Sequence, residues 1–483
     1  MTTGALGDCS PDAFRAAAHA AVDWIADYLE HPERHPVRSR VQPGDVRAAL
    51  PAEPPPHGES LDAMLHDVQT TLLPGITHWN HPGFLAYFAN SGSYPGILGE
   101  LIAAGLNANG MLWATSPAVT ELEQVALDWL RQLMGLTPGW FGEITDTASI
   151  STLYALAAAR ERAGFEVRHR GMAGRHDLPR LRVYCSEHAH SSIDKAVIAL
   201  GLGHENLVKV AADEQFRMRP EALEVALTAD VAQGFHPMAV VPCVGTTSTA
   251  SVDPVAAILP IARAHGCWVH VDAAYGGAAA LVPELRWHFE GVDAADSLVV
   301  NPHKWLFTPM DCSVLYTRDP AALKQAFALL PEYLVTRTGE ATVNLMDYGV
   351  QLGRRFRALK LWMVLRAYGA EGMAERIRFH CDLAREFAGM VHFEANGWEL
   401  TAPVMFSLVC FRHVPPGADE PAIAAHNAAI LEHVNAQGDS YLSHTKVNGR
   451  YMLRLAIGNI RTDRPHLEAA WRALRDAART VAV

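Results

Sequence analysis

The chain has 483 residues, 49% of them hydrophobic and 19% charged, so it is too long for one ordinary domain of about 150 residues and can bury a large core. Forty Lys plus Arg stand against 52 Asp plus Glu, a formal charge of -12 with no block of like charge, which argues against nucleic acid or an anionic membrane as the main partner. Seven scattered cysteines without a CxxC pair fit a reduced, cytoplasmic setting, and neither a secretory signal nor an apolar stretch of membrane-spanning length is visible.

Residues 12–30 set Phe14, Ala18, Val22, Ile25 and Leu29 at amphipathic helical spacing, and the proline-rich "PAEPPPHGES" (51–60) follows. Residues 1–80 therefore read as a helical arm rather than a self-sufficient core. From about 140 to 320, short β-rich runs ("LRVYCS", "MAVVPCVG", "CWVHVD", "DSLVV", "SVLYTR") alternate with helical patterns. This predicts an α/β domain over 81–370 with a largely parallel sheet, its last two strands antiparallel because the link between them is too short for a helical crossover. Residues 371–483 carry helices and the strands "FSLVCFR" and "YMLRLAIG", which predicts a smaller α+β domain.

Ligands of open parallel sheets gather at the strands' carboxyl ends. Those ends carry His188 and His190, then Thr246 and Thr247, then Asp272, then Asn301 to Lys304. A lysine at a buried strand end is hard to keep charged, so its amine becomes a nucleophile. By itself such a lysine is more often a snorkelling or ion-paired one, and an Asp at a strand end can simply cap the next helix or pair with an Arg. Together they are what pyridoxal phosphate requires: a lysine to hold the cofactor as a Schiff base and a carboxylate to keep the ring nitrogen protonated. A short strand leading into Thr147, Ala148 and Ser149 and then a long helix offers backbone N–H groups to a phosphate, although Ser and Thr are common caps anyway. His188 and His190 lack partners at metal-ligand spacing; His190 stacked on a flat ring, with Ser192 capping the next helix, explains that stretch better, and no metal is expected.

Taken together, "HAHSS", "HVDAAYGG" and "NPHKW" resemble the motifs of the pyridoxal-phosphate-dependent group II amino acid decarboxylases, in particular the aromatic L-amino acid decarboxylases. The similarity extends through "VQPGDVRAALP", "PGITHWNHPGFLAYFANSGSYP", "WATSPAVTELE", "DCSVLY" and "LGRRFRALKLW", covering most of the chain. The resemblance implies the aspartate-aminotransferase-like fold type I: a mostly parallel seven-stranded sheet with helices on both faces, a small C-terminal α+β domain and an N-terminal arm used in dimerisation. It implies pyridoxal 5'-phosphate bound covalently at Lys304, with Asp272 on the ring nitrogen, His190 and Ala274 on the ring faces and Thr247 beside the ring. Thr147, Ala148, Ser149 and Asn301 would bind the phosphate, and His303 would help organise the lysine. Tyr333, in "LLPEYLVTRTGEATVNLMDYGVQLG", would protonate the substrate carbon after carbon dioxide leaves; the 334–348 stretch is about one residue shorter than in animal relatives.

Trp79, Tyr87, Phe88 and Asn90 would line the substrate pocket, "NGMLW" (109–113) would reach in from a partner subunit, and Gly353 would leave room for an indole-like ring. Asp146 stands where relatives often have Gly, and Asn90 where Thr is common. The implied reaction is decarboxylation of an L-aromatic amino acid (Trp, Tyr, Phe or DOPA type) to its amine. An aromatic aldehyde synthase on the same fold is the alternative; such enzymes tend to carry Phe at the Tyr333 position or Asn at the His190 position, and this chain has neither. A glutamate-type decarboxylase would need cations facing a distal carboxylate, which 74–95 lacks, and a non-catalytic relative would be expected to have lost Lys304, Asp272 or Tyr333.

Overall fold

In the computed structural model, which describes residues 8–329 and 342–481, the β-rich runs pair into one seven-stranded sheet. Its strands are β1 (Phe141–Thr145), β2 (Leu181–Ser186), β3 (Leu207–Val210), β4 (His236–Val241), β5 (Trp268–Asp272), β6 (Ser297–Val300) and β7 (Ser313–Thr317), in the spatial order β1-β7-β6-β5-β4-β2-β3. From β6 through β3 the neighbours pair in parallel. β7 runs antiparallel to both β6 and β1, as the short link before it predicts.

The longer helices of this part are α1 (Pro11–Glu30), α2 (Tyr94–Leu106), α3 (Pro117–Leu133), α4 (Ala148–Arg162), α5 (Ser192–Ala199), α6 (Pro220–Ala232), α7 (Val255–Ala264) and α8 (Arg357–Phe393). Strand side chains alternate between two apolar layers, which is why the runs are hydrophobic throughout rather than at every second position. Val183, Cys185, Val241 and Leu315 pack with Tyr154, Leu156 and Ile193 of α4 and α5 on one face. Tyr184, Val240, Val271 and Val314 pack with Leu130, Leu223, Ile258 and Leu361 of α3, α6, α7 and α8 on the other.

Helix α8 breaks from helical geometry at Gly369 (φ 63°, ψ 177°), beside the expected boundary at 370, and continues to residue 393. Beyond it, β8 (Trp398–Leu400), β9 (Leu408–His413), β10 (Ser443–Val447) and β11 (Arg450–Ala456) form an antiparallel sheet in the order β10-β11-β9-β8. Helices α9 (Glu420–Gln437) and α10 (Arg464–Thr480) cover it around Phe387, Phe411, Ile430, Leu453 and Trp471. Strands β3, β8 and β10 escape a reading by hydrophobic runs because they lie at sheet edges, are short, or alternate polar and apolar residues.

Helix α1 forms as its spacing predicts, with the Ser10 hydroxyl accepting from the Ala13 N–H at 3.2 Å. Its expected apolar face is not covered, however: Phe14 is 60% and Val22 47% exposed, and only Ala17 and Leu29 are buried.

Candidate active site

The parallel strands point their carboxyl ends toward one rim, and the chain segments that leave them meet around a cavity of about 550 Å3. β1 delivers Thr147, Ala148 and Ser149; the turn after β2 delivers His190; β4 leads to Cys243, Thr246, Thr247 and Ser248. β5 delivers Asp272 and Ala274, and β6 delivers Asn301, His303 and Lys304. The loops after β4 and β5 pass so close that a Cβ on Gly276 would lie 2.4 Å from the Val244 carbonyl oxygen, so only glycine fits there.

Lys304 sits in a short helical turn that starts at Pro302, and its amine lies 5.5 Å from the centre of the Phe88 ring. Burial is the main influence on it and holds its pKa below the ordinary lysine range; the Arg454 charge adds to this and Asp272 opposes it. Asp272 is buried and accepts from the Ala274 N–H at 3.1 Å through Oδ1. His303 accepts from the Cys312 N–H at Nδ1 (3.0 Å), leaving the ring proton on Nε2; burial and the Lys304 charge push its pKa down to about 3, so the ring is neutral.

His190 accepts from the Ser192 N–H at 3.1 Å through Nδ1, which corrects the expectation that Ser192 caps the next helix. The cap position belongs to Ser191, which makes no side-chain cap, and the Ser192 hydroxyl is buried without a partner among the described residues. Burial lowers the His190 pKa.

At the β1 end of the cavity, Thr147 holds the cap position of α4 with extended backbone (φ -140°, ψ 158°) and no side-chain cap, so the first N–H groups of a fifteen-residue helix are left for an anion. Asp146 does not line the cavity; it accepts from the Thr147 hydroxyl at 3.0 Å.

The opposite end is aromatic, with Trp79, Tyr87 and Phe88 as walls and Asn90 at the mouth, where its amide meets the Met310 sulfur at 3.5 Å. Tyr87 (φ 52°) and the stacking of Trp79 on Phe84 (4.3 Å) fix the shape of this wall. Gly353 is not among the residues lining this cavity; it lies beside Asn109, whose Oδ1 accepts from the Arg354 N–H at 3.0 Å. Tyr333 lies outside the described residues.

Sequence reasoning missed Arg454, in β11 of the small sheet. It is 3% exposed, donates through Nε to the Ser248 carbonyl (3.1 Å) and through Nη1 to the Tyr87 carbonyl (3.0 Å) and Ser443 hydroxyl (3.2 Å). Its Nη2 is buried without a partner among the described residues, and its guanidinium lies 4.8 Å from the Phe88 ring. One arginine inside the otherwise apolar run "YMLRLAIG" was the available signal.

These residues fit pyridoxal phosphate. The cavity offers an amine beside a carboxylate, a free helix start, and two buried polar atoms awaiting partners, Asn301 Oδ1 and Arg454 Nη2. Fold and donor set together define a pyridoxal-phosphate enzyme of fold type I. More narrowly, the chain belongs to the pyridoxal-dependent decarboxylase family, whose conserved-domain model matches residues 43–414.

Among its relatives, tyrosine decarboxylase 4 of Petroselinum crispum is 41% identical, over 98% of this chain and 94% of that one. A phenylacetaldehyde synthase of Arabidopsis thaliana is also 41% identical, over 96% and 95% respectively. The crystal structure of Oryza sativa TDC with PLP and tryptamine superposes with a TM-score of 0.94 at 36% identity, covering 98% of this chain and 99% of that one. The protein is a carboxy-lyase of the group II amino acid decarboxylases that uses pyridoxal 5'-phosphate.

Proposed function

We propose that the enzyme decarboxylates an L-aromatic amino acid of the Trp, Tyr, Phe or DOPA type to its amine and carbon dioxide. The observation that carries this reading is the cavity's substrate end, where Trp79, Tyr87 and Phe88 offer flat apolar walls and, among the described residues, no Lys or Arg besides Lys304 and Arg454 lines the space to hold a distal carboxylate. Relatives named for tyrosine decarboxylation and a structure holding tryptamine support it.

In this reading Lys304 would hold the cofactor through its amine, the Asp272 carboxylate would keep a proton on the ring nitrogen, His190, Ala274 and Thr247 would hold the ring, and Thr147, Ala148, Ser149 and Asn301 would hold the phosphate. When bound, pyridoxal 5'-phosphate supplies an electron sink for the pair released with carbon dioxide. The free Nη2 of Arg454 receives the substrate α-carboxylate, while the Phe88 face keeps water from it. Neutral His303 sets the Lys304 turn from the preceding position, and Tyr333 is the proposed proton donor to the substrate carbon.

We further propose a homodimer, in a cytoplasmic setting, built from an arm (1–80), a large domain (81–370) and a small domain (371–483). Exposed Phe14 and Val22 of α1, and Tyr94, Leu98, Leu101 and Leu106 of α2, are apolar surface that a second copy would cover. The hydrogen-bonded pair of segments carrying Asn109 and Gly353 would then reach the partner's cavity together, Gly353 leaving room for a bulky ring.

The test is a panel of L-Trp, L-Tyr, L-Phe, L-DOPA, L-His and L-Glu with added cofactor, reading carbon dioxide, amine and hydrogen peroxide. Amine equal to carbon dioxide from the aromatic members alone supports the reading; turnover confined to Glu or His overturns it. Peroxide and ammonia in step with carbon dioxide would assign the aldehyde-synthase activity instead.

A further inference from the structure

Trp305 follows Lys304 directly, and its indole N–H donates to Nδ1 of His380, in the middle of α8, at 2.9 Å. With Nδ1 accepting, the imidazole proton sits on Nε2, and the ring also hydrogen-bonds the backbone of Asn459. Asn459 in turn donates through Nδ2 to the carbonyls of Trp79 (3.0 Å) and His81 (2.9 Å). Trp305, His380 and Asn459 are 0%, 2% and 0% exposed, so water does not substitute for these bonds.

A second route starts from the same indole. Trp305 stacks on Tyr275 (centroids 4.9 Å apart, 10° between planes), and Tyr275 stacks on Phe88 (3.7 Å, 16°). The turn that carries the lysine is thus tied to both aromatic walls, to Trp79 through His380 and Asn459, and to Phe88 through Tyr275.

We propose that His380 is a positioning residue that fixes the distance between the Lys304 amine and the aromatic walls, and so sets how well an aromatic side chain is held while its α-carbon reacts. The proposal rests on the aromatic-substrate reading above. A neutral imidazole or a carboxamide accepts from an indole N–H with one atom while donating to a backbone carbonyl with another, which an aliphatic side chain of similar size cannot do. Burial lowers the His380 pKa to about 4, which keeps the ring in this neutral form near pH 7.

The experiment compares His380→Leu, His380→Gln, Trp305→Phe and the double variant Trp305→Phe/His380→Leu in the full-length holoenzyme. It reads KM and kcat per bound cofactor for L-Trp and L-Phe, the pH midpoint of the cofactor's visible absorption on Lys304, and Tm. Leucine leaves the indole and the Asn459 backbone unpaired, so KM should rise about tenfold with kcat changed less than about threefold, and the absorption midpoint should move. Glutamine should return KM and the midpoint to within about twofold of wild type. Trp305→Phe should raise KM as well, and the double variant should be no worse than the poorer single one.

A lower Tm with wild-type KM and midpoint would make the role merely structural and overturn the proposal, as would KM effects that multiply in the double variant. If His380→Leu does not fold, Trp305→Phe with wild-type KM and midpoint overturns it. A wild-type enzyme that binds cofactor yet turns over no aromatic amino acid defeats the functional reading instead, and the absorption midpoint still reports on the Lys304 turn.

Discussion

Asp272 pairs with Val299 across the parallel strands β5 and β6, and five residues beyond Val299 the same rim receives Lys304. Strand register alone therefore brings the carboxylate and the amine to one cavity. Replacing the carboxylate tests its assigned task. Asp272→Asn keeps the shape and the acceptor for Ala274 but removes the charge proposed to hold a proton on the ring nitrogen. Carbon dioxide release per bound cofactor should fall by at least about a hundredfold, measured under single-turnover conditions.

The phosphate end makes a separate prediction. An acid at the second residue of α4 opposes both the free N–H groups and the helix dipole that attract a dianion. Ser149→Asp should weaken cofactor binding to the apoenzyme by about tenfold or more, followed by fluorescence titration, while excess cofactor restores most of kcat. An unchanged dissociation constant would remove Ser149 from the cradle.

Arg454 should discriminate substrate from product. Arg454→Met keeps an unbranched chain but removes the buried Nη2, so KM for the amino acid should rise about tenfold or more. The product amine has no carboxylate, so its inhibition constant should change less than about threefold. Equal losses for both would mean that the arginine serves only the Ser248 and Tyr87 carbonyls it already holds.

Stability should fall with acid in a defined window. Burial lowers the pKa of fully enclosed His270 and His380 from 6.5 to about 4, so these rings take up protons on unfolding and not before. The unfolded chain binds more protons than the folded one between those values, so stability is present above about pH 6.5 and is lost as pH drops toward about pH 4. Each ring should account for about 2 kcal/mol between pH 7 and pH 5. Urea unfolding at the two pH values checks this, and His270→Gln should reduce the difference by about one such share.

Much of the fold was legible because β2, β4, β5 and β6 are central strands, largely buried on both faces and hydrophobic at most positions. The residues after them share a rim by topology, which is why Thr147, His190, Asp272, Asn301 and Lys304 converge as expected. Edge strands such as β3 and β10 carry lysine and histidine and give no such signal. Arg454 and Ser443 reach the cavity from a separate sheet far along the chain, a contact that no local spacing encodes. The exposed face of α1 shows the same limit in reverse: its spacing predicts burial, yet none of the described residues covers Phe14 and Val22.

The central claim, that Lys304 carries an aromatic amino acid decarboxylase, is tested most directly by paired assays of wild type and Lys304→Ala with L-Trp, L-Tyr and L-Phe. Amine and carbon dioxide should appear in equal amounts with wild type, and both should fall by at least about a thousandfold in the variant, together with loss of the cofactor's visible absorption. Wild-type amine formation by Lys304→Ala, or a wild-type enzyme that releases no amine from any aromatic amino acid, would contradict the account.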